Sequence, residues 1–222
     1  MTTTKKPGRI LDYDKKLPVL ELYVCIQSEG SRQGRPTICV RTTGCTHRCW
    51  FGEGGWCDSW YTSIHPEKGI ITFNDIIRMY DEHPFIKEMM LTGGSPTMQP
   101  DLVNELTHFA NERGIIITIE TEGSHFIETD FPIGLISLSP KFSNSIPELG
   151  VLTSKGAIVD EKMIDQHKVW SYRKKLINNA TKSEKSIMDK LDIMGVKYDF
   201  QHVFQTNERF YQHTLGNACE QV

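Results

Sequence analysis

Between residues 20 and 139, short β-rich segments alternate with amphipathic helical ones, and that order points to an α/β fold with a parallel sheet. LELYVCIQ (20–27) and TICVRTTG (37–44) are β-rich and are joined by the turn-rich SEGSRQGRP. IKEMMLT (86–92) is a short strand that ends on Gly93-Gly94. IIITIE (115–120) is almost wholly apolar and β-branched, as expected of a strand buried in a parallel sheet. GLISLS (134–139) is another strand. Two helices fall between these strands. One begins at Thr72, with Asp75 three residues on as a capping box and an apolar face of Ile76, Ile77 and Tyr80. The other, DLVNELTHFANER (101–113), carries Leu102, Leu106 and Phe109 on one side and stops at Gly114. Beyond residue 150, residues 160–178 and 183–194 read as helical and VKYDFQHVF (196–204) as a last strand. The tail from Gln205 is polar and is expected to be partly disordered.

The stretch GCTHRCWFGEGGWCDS (44–59) holds Cys45, Cys49 and Cys57 on a glycine-rich loop. Three thiolates can hold three irons of a four-iron cluster and leave the fourth open, whereas an electron-storage cluster usually takes four cysteines. A structural zinc site, with His47 as a further ligand, and a chance grouping are the alternatives. Cys25 and Cys39 fall within strands and read as small buried hydrophobes, and Cys219 as a free thiol.

The 222 residues suffice for one sizeable core. The net charge of −3 gives no basic excess of the kind a nucleic-acid scaffold carries. Residues 1–16 contain no apolar stretch of signal-peptide length, and no run approaches the roughly 20 apolar residues of a membrane span. The expectation is a soluble, cytoplasmic protein with reduced thiols, where clustered cysteines bind metal more often than they pair.

Ligands of a parallel α/β sheet gather beyond the carboxyl ends of its strands. Four polar segments occupy such ends: the cysteine loop after Val40, TGGSP after Leu91, ETEG after Ile119 and SPK after Leu138. Together they outline one pocket. Gly93-Gly94 would allow close backbone approach to a ligand, because glycine lacks Cβ.

The ordered set CIQSEG, GRPTICVR, GCTHRC, WCDS, LTGGSP, IETEG and SLSPK resembles the radical S-adenosylmethionine enzymes, and within them the 7-carboxy-7-deazaguanine synthase family. The likeness covers about residues 21–141. It implies a partial, incomplete TIM-type barrel with parallel strands, formed by a single domain over residues 1–222, with a core of about 19–204 and a divergent tail, 205–222. By resemblance Cys45, Cys49 and Cys57 bind [4Fe-4S], whose open iron chelates S-adenosylmethionine. The radical released from that cofactor takes a hydrogen atom from C6 of 6-carboxy-5,6,7,8-tetrahydropterin, which becomes 7-carboxy-7-deazaguanine for queuosine- or archaeosine-type 7-deazapurines. Gln27, Ser28, Glu29, Arg41 and Thr92 occupy substrate positions. Gly93, Gly94, Ser95, Glu120, Ser139, Pro140 and Lys141 fall near the cofactor, and Ser59 where a hydroxyl meets Mg²⁺. The implied partners are the small-molecule pterin, an electron donor such as a flavodoxin and a second copy in a homodimer, with neither membrane nor direct nucleic acid.

The chain departs from this pattern in four places. Seven residues, WFGEGGW, separate Cys49 from Cys57, which reads as an insertion of about five beside a retained W-C-D. Ser95 stands where the family has a glutamate, and Glu122 where it often has asparagine. QTNER replaces the family's QTHK near the tail. A glycyl-radical activating enzyme and a zinc-stabilised, non-enzymatic binding module are the other functional classes.

Overall fold

The structure, a computed structural model, describes residues 12–50, 56–123, 125, 127–139, 147–150, 158–162, 197–205 and 210–214. Seven strands form one sheet in chain order. They are β1 (Val19–Ile26), β2 (Pro36–Thr42), β3 (Glu88–Gly93), β4 (Ile116–Thr121), β5 (Leu135–Leu138), β6 (Lys197–Gln205) and β7 (Phe210–Thr214). β2 to β6 run parallel, and β1 and β7 pair antiparallel at either edge. The described helices are α1 (Trp60–Ser63), α2 (Phe73–Glu82) and α3 (Pro100–Arg113).

Alternation along the strands sorts the sheet into two faces. Ile38, Val40, Met89, Leu91, Ile117, Ile119 and Ile136 share one buried core with Phe73, Ile76 and Tyr80 of α2 and Leu102, Val103, Leu106 and Phe109 of α3. Each such side chain contributes roughly 1.5–3 kcal/mol relative to exposure. The residues between them, among them Cys39, Arg41, Met90, Thr92, Thr118, Glu120 and Ser137, have their side chains on the opposite face.

The helix ends follow the residues that mark them. The Thr72 Oγ1 accepts from the Asp75 N–H at 3.1 Å, and Asp75 Oδ2 accepts from the Thr72 N–H at 2.9 Å. A bond from the Thr72 hydroxyl to Asp75 Oδ2 at 2.7 Å, and after it the one from the Thr72 N–H, hold the Asp75 carboxyl below its usual range. Gly114 closes α3 at φ 64°, a left-handed conformation that a side chain disfavours.

The polar face is concave. Gln27, just past β1, reaches Glu120 on β4 at 3.1 Å. In a flat sheet three strand spacings would hold β1 and β4 about 14 Å apart. The turn at Gly30–Arg32 likewise approaches β6. Among the described residues no pairing joins β1 to β7, so the sheet curls into an incomplete barrel.

One expectation is revised at the end of the chain, and another lies beyond the described residues. β7 lies inside the tail expected to be partly disordered; Phe210, Tyr211 and Thr214 are good strand formers beside β6. The helical readings of 160–178 and 183–194 lie almost wholly outside the described residues. Among the described residues no helix is long and apolar enough to cross a membrane.

Candidate active site

The cysteine loop leaves β2 at Thr42 and is fixed by backbone bonds on both sides. The Gly44 N–H donates to Thr62 O at 2.7 Å, and Ser95 N–H donates to Gly44 O at 2.8 Å. Arg48 Nη1 donates to the carbonyls of Cys45 and His47 at 2.7 and 2.8 Å, which tightens the turn between the first two cysteines. Trp50 and Trp56 form an antiparallel bridge, and the Cys57 N–H donates to Cys49 O at 3.0 Å. The third cysteine thus returns beside the second in spite of the long gap.

All three thiols face one cavity of about 400 Å³. Burial pushes the Cys45 thiol well above its usual range, and the charges of Glu122, Cys49 and Cys57 add to the rise, against a bond from the His47 N–H to its sulfur at 3.4 Å. Thiolates crowded in this way need a cationic metal centre to exist together. Among the described residues no three of His, Cys, Asp and Glu close round a single ion. His47 is 1% exposed, with Nδ1 at 3.0 Å from Thr46 Oγ1. A cluster that takes one thiolate at each of three separate irons suits three thiols on one wall.

Beyond the cysteines, polar side chains of three consecutive strands line the cavity. Glu120 on β4 accepts from Gln27 Nε2 at 3.1 Å and from Thr92 Oγ1 of β3 at 2.8 Å. Burial pushes the Glu120 carboxyl up to about 6 and the charge of Glu29 adds to it, opposed by those two bonds and by Arg41. Gln27 is 3% exposed, and among the described residues its Oε1 has no donor. Arg41 on β2 donates from Nε to Glu21 Oε2 at 2.6 Å and from Nη2 to Tyr23 Oη at 3.0 Å. A fixed guanidinium, an unfilled amide acceptor and a proton-holding carboxyl can together recognise a planar heterocycle that carries a carboxylate.

A sequence profile of the Radical SAM superfamily matches residues 39–130, which run from β2 through the cysteine loop to the segment after β4. Over those residues the chain is similar to that superfamily. It is 40% identical over 131 residues to the 7-carboxy-7-deazaguanine synthase of Halobacterium salinarum, covering 59% of this chain and 48% of that one. It is 32% identical over 146 residues to the enzyme of the same name from Rhodopirellula baltica, covering 66% of this chain and 53% of that one. The chain thus spans about half the length of the curated relatives it matches. A solved structure, QueE from Escherichia coli, aligns at 16% identity and a TM-score of 0.47 over 83% of this chain and 93% of that one, too distant for any residue to be carried across.

Most residues singled out from the sequence share the cavity wall. Ser28 and Glu29, Arg41, Thr92, Gly93, Gly94, Glu120 and Ser139 line it with the three cysteines and Ser59. Gln27 stands behind Glu120. Pro140 and Lys141 lie outside the described residues. Ser95 is 0% exposed and bonded to Thr97 Oγ1 at 3.2 Å, so its hydroxyl sits behind the wall.

Gly93-Gly94 also has a reason within the fold. A Cβ on Gly93 would stand 2.1 Å from Thr42 O, and one on Gly94 2.2 Å from Gly44 O. The close approach that demands glycine is to the end of β2 and the cysteine loop, with Gly93 also at φ 115°. The two glycines press the β3 turn against the loop that carries Cys45.

Sequence reasoning passed over part of the wall. Cys25, read as a small buried hydrophobe, lines the cavity near Glu120 and Arg41, and burial raises its thiol. Asp58 and Glu122 also line it. The period-two placement of Cys25 with Tyr23 was the available signal, but nothing in the sequence says which face of β1 is concave.

Proposed function

We propose that this chain converts 6-carboxy-5,6,7,8-tetrahydropterin to 7-carboxy-7-deazaguanine, using a [4Fe-4S] cluster and S-adenosylmethionine. The observation that carries this reading is the placement of Arg41, Thr92 and Glu120 on one concave wall beside Cys45, Cys49 and Cys57, with Gln27 bonded to Glu120 from behind. The name shared by the curated relatives supports it.

Cys45, Cys49 and Cys57 would hold the cluster, and Gly93, Gly94, Ser139, Pro140 and Lys141 would border the cofactor. When bound, cluster and cofactor supply a one-electron cleavage that starts reaction by removal of a hydrogen atom. The chain's own residues do the rest. Arg41 clamps the substrate carboxylate through its planar fork. Gln27 holds Glu120 from behind through its Nε2, and Glu29 and Thr92 offer the edge contacts. Glu120, poised near 6, gives and takes a proton at the ring system. The narrow walls hold the reacting groups together and exclude water. Ser59, next to Asp58 in the wall, would give an oxygen to Mg²⁺, which accepts few protein oxygens and keeps substrate and water for the rest. A cytoplasmic setting, a flavodoxin-type electron donor, a homodimer and action of residues 1–222 as one domain belong to the same proposal.

Anaerobic reconstitution, followed by addition of S-adenosylmethionine, Mg²⁺, reductant and the carboxypterin, tests this reading. The expected result is a deazapurine product by mass spectrometry. Its absence while a control enzyme turns over would refute it.

A further inference from the structure

The cavity wall is strongly anionic. Glu29, Asp58, Glu120 and Glu122 line it with four thiols, and among the described residues Arg41 is the only lysine or arginine in the lining. Arg41 is itself paired with Glu21. A buried carboxylate needs a cation or a set of donors, and a cavity of this charge selects ligand groups that bring positive charge.

Glu122 is 6% exposed, and its charge acts on Cys45, so it stands on the metal side of the cavity. Its oxygens are held from two directions. Thr46 Oγ1 donates to Oε1 at 3.5 Å, and Thr121 Oγ1 donates to Oε2 at 3.2 Å. The Thr121 bond heads a chain of hydroxyls. Thr97 Oγ1 lies 3.2 Å from Thr121 Oγ1, and Ser95 Oγ lies 3.2 Å from Thr97 Oγ1. Each hydroxyl has one hydrogen. Thr121 uses its hydrogen on the carboxylate, so it accepts from Thr97, and Thr97 in turn accepts from Ser95. Every donor in the row points toward Glu122, and such rows polarise one another. The buried Ser95 is the far end of this relay, and Glu122 is where its effect reaches the cavity.

We propose that Glu122, polarised by the Ser95–Thr97–Thr121 hydroxyl relay, seats the ammonium of the amino-acid end of S-adenosylmethionine beside Cys45. This inference rests on the cofactor named in the proposed function. The position suits an amino acid whose nitrogen would bind the metal only after losing a proton, because Glu122, next to the first cysteine, pairs with the ammonium as it arrives and can take that proton. It also accounts for the two departures together. Ser95 has no charge to offer the cofactor, and Glu122 supplies one at the other end of the same hydrogen-bonded row.

The test is anaerobic calorimetric titration of the cluster-loaded protein with S-adenosylmethionine and with its analogue lacking the α-amino group. The wild-type chain is expected to prefer the true cofactor by about 10- to 100-fold, the range of one charge-assisted hydrogen bond. Glu122→Gln is expected to abolish most of that preference by weakening the true cofactor alone. Glu122→Asn serves as a second neutral variant and is the residue the resembling family often carries there, so one of the two is expected to load iron fully. Equal binding of both ligands by the wild-type chain overturns the inference. So does a variant that weakens both ligands alike, or neither. A wild-type chain with full iron that binds no S-adenosylmethionine would sink the proposed function as well, whereas intact binding untouched by Glu122 sinks this inference alone.

Discussion

The backbone N–H of Cys57 donates to the carbonyl of Cys49 at 3.0 Å, although seven residues lie between them. With the Trp50–Trp56 bridge, this bond closes the intervening loop at its base. The length of the gap is therefore decoupled from the spacing of the thiols.

A deletion follows from that closure. Without residues 51–55 only Trp50 and Trp56 remain between the two cysteines, and the same N–H to carbonyl bond becomes that of a four-residue β-turn. The shortened chain is expected to retain the iron and sulfide content of the full-length protein, since the turn closes the same hydrogen bond. Iron content that falls to that of Cys57→Ala would show that the insert itself shapes the site.

Glu120 connects function to stability. Its carboxyl is raised from 4.5 to about 6 in the fold, first by burial. The folded chain therefore holds this proton more tightly than the unfolded chain. Stability is greatest below about 4.5, falls as pH rises through 6 and then levels off, with a penalty of about 2 kcal/mol. Glu120→Gln is expected to raise stability by up to that amount at pH 7.5 and to change little at pH 4.5, while it lowers turnover. Urea melts at the two pH values measure the difference. Equal effects at both would contradict the assignment.

Arg41 is fixed by Glu21 and Tyr23 before any ligand arrives. Arg41→Ala is expected to raise KM for the carboxylated substrate by about 10- to 100-fold with iron content unchanged. Arg41→Lys should recover part of this loss, because a lysine keeps the charge and loses the fork. Steady-state kinetics with iron analysis on the same samples separate these outcomes from misfolding.

Much of this layout was legible in the chain. The strand–helix alternation anticipated β1 to β5, and Thr72, Asp75 and Gly114 marked helix ends because local hydrogen bonding and φ decide such positions. Curvature was not legible. Which side of a strand faces inward depends on packing of α2 and α3 against the other side, so Cys25 passed as a small buried hydrophobe. Ser95 was read from its neighbours in the motif, yet its hydroxyl turns away from the cavity toward Thr97, a direction that only the close packing of the Gly93-Gly94 turn imposes.

The Thr72 cap gives a control for effects confined to stability. Thr72→Ala removes the bond to the Asp75 N–H and unpicks the capping box, with an expected cost of about 1 kcal/mol. Thermal melts should show the loss, while iron content and cofactor binding stay at wild-type levels. A parallel loss of iron would mean that α2 and the cysteine loop are more tightly coupled than their separation in the fold implies.

The most direct measurement uses carboxypterin carrying deuterium at C6. The reconstituted chain is expected to form 7-carboxy-7-deazaguanine and to place that deuterium in the 5′-deoxyadenosine recovered with it. Deazaguanine formed with unlabelled nucleoside would contradict the assigned site of hydrogen removal, and labelled pterin returned intact by an iron-replete chain would contradict the proposed activity itself.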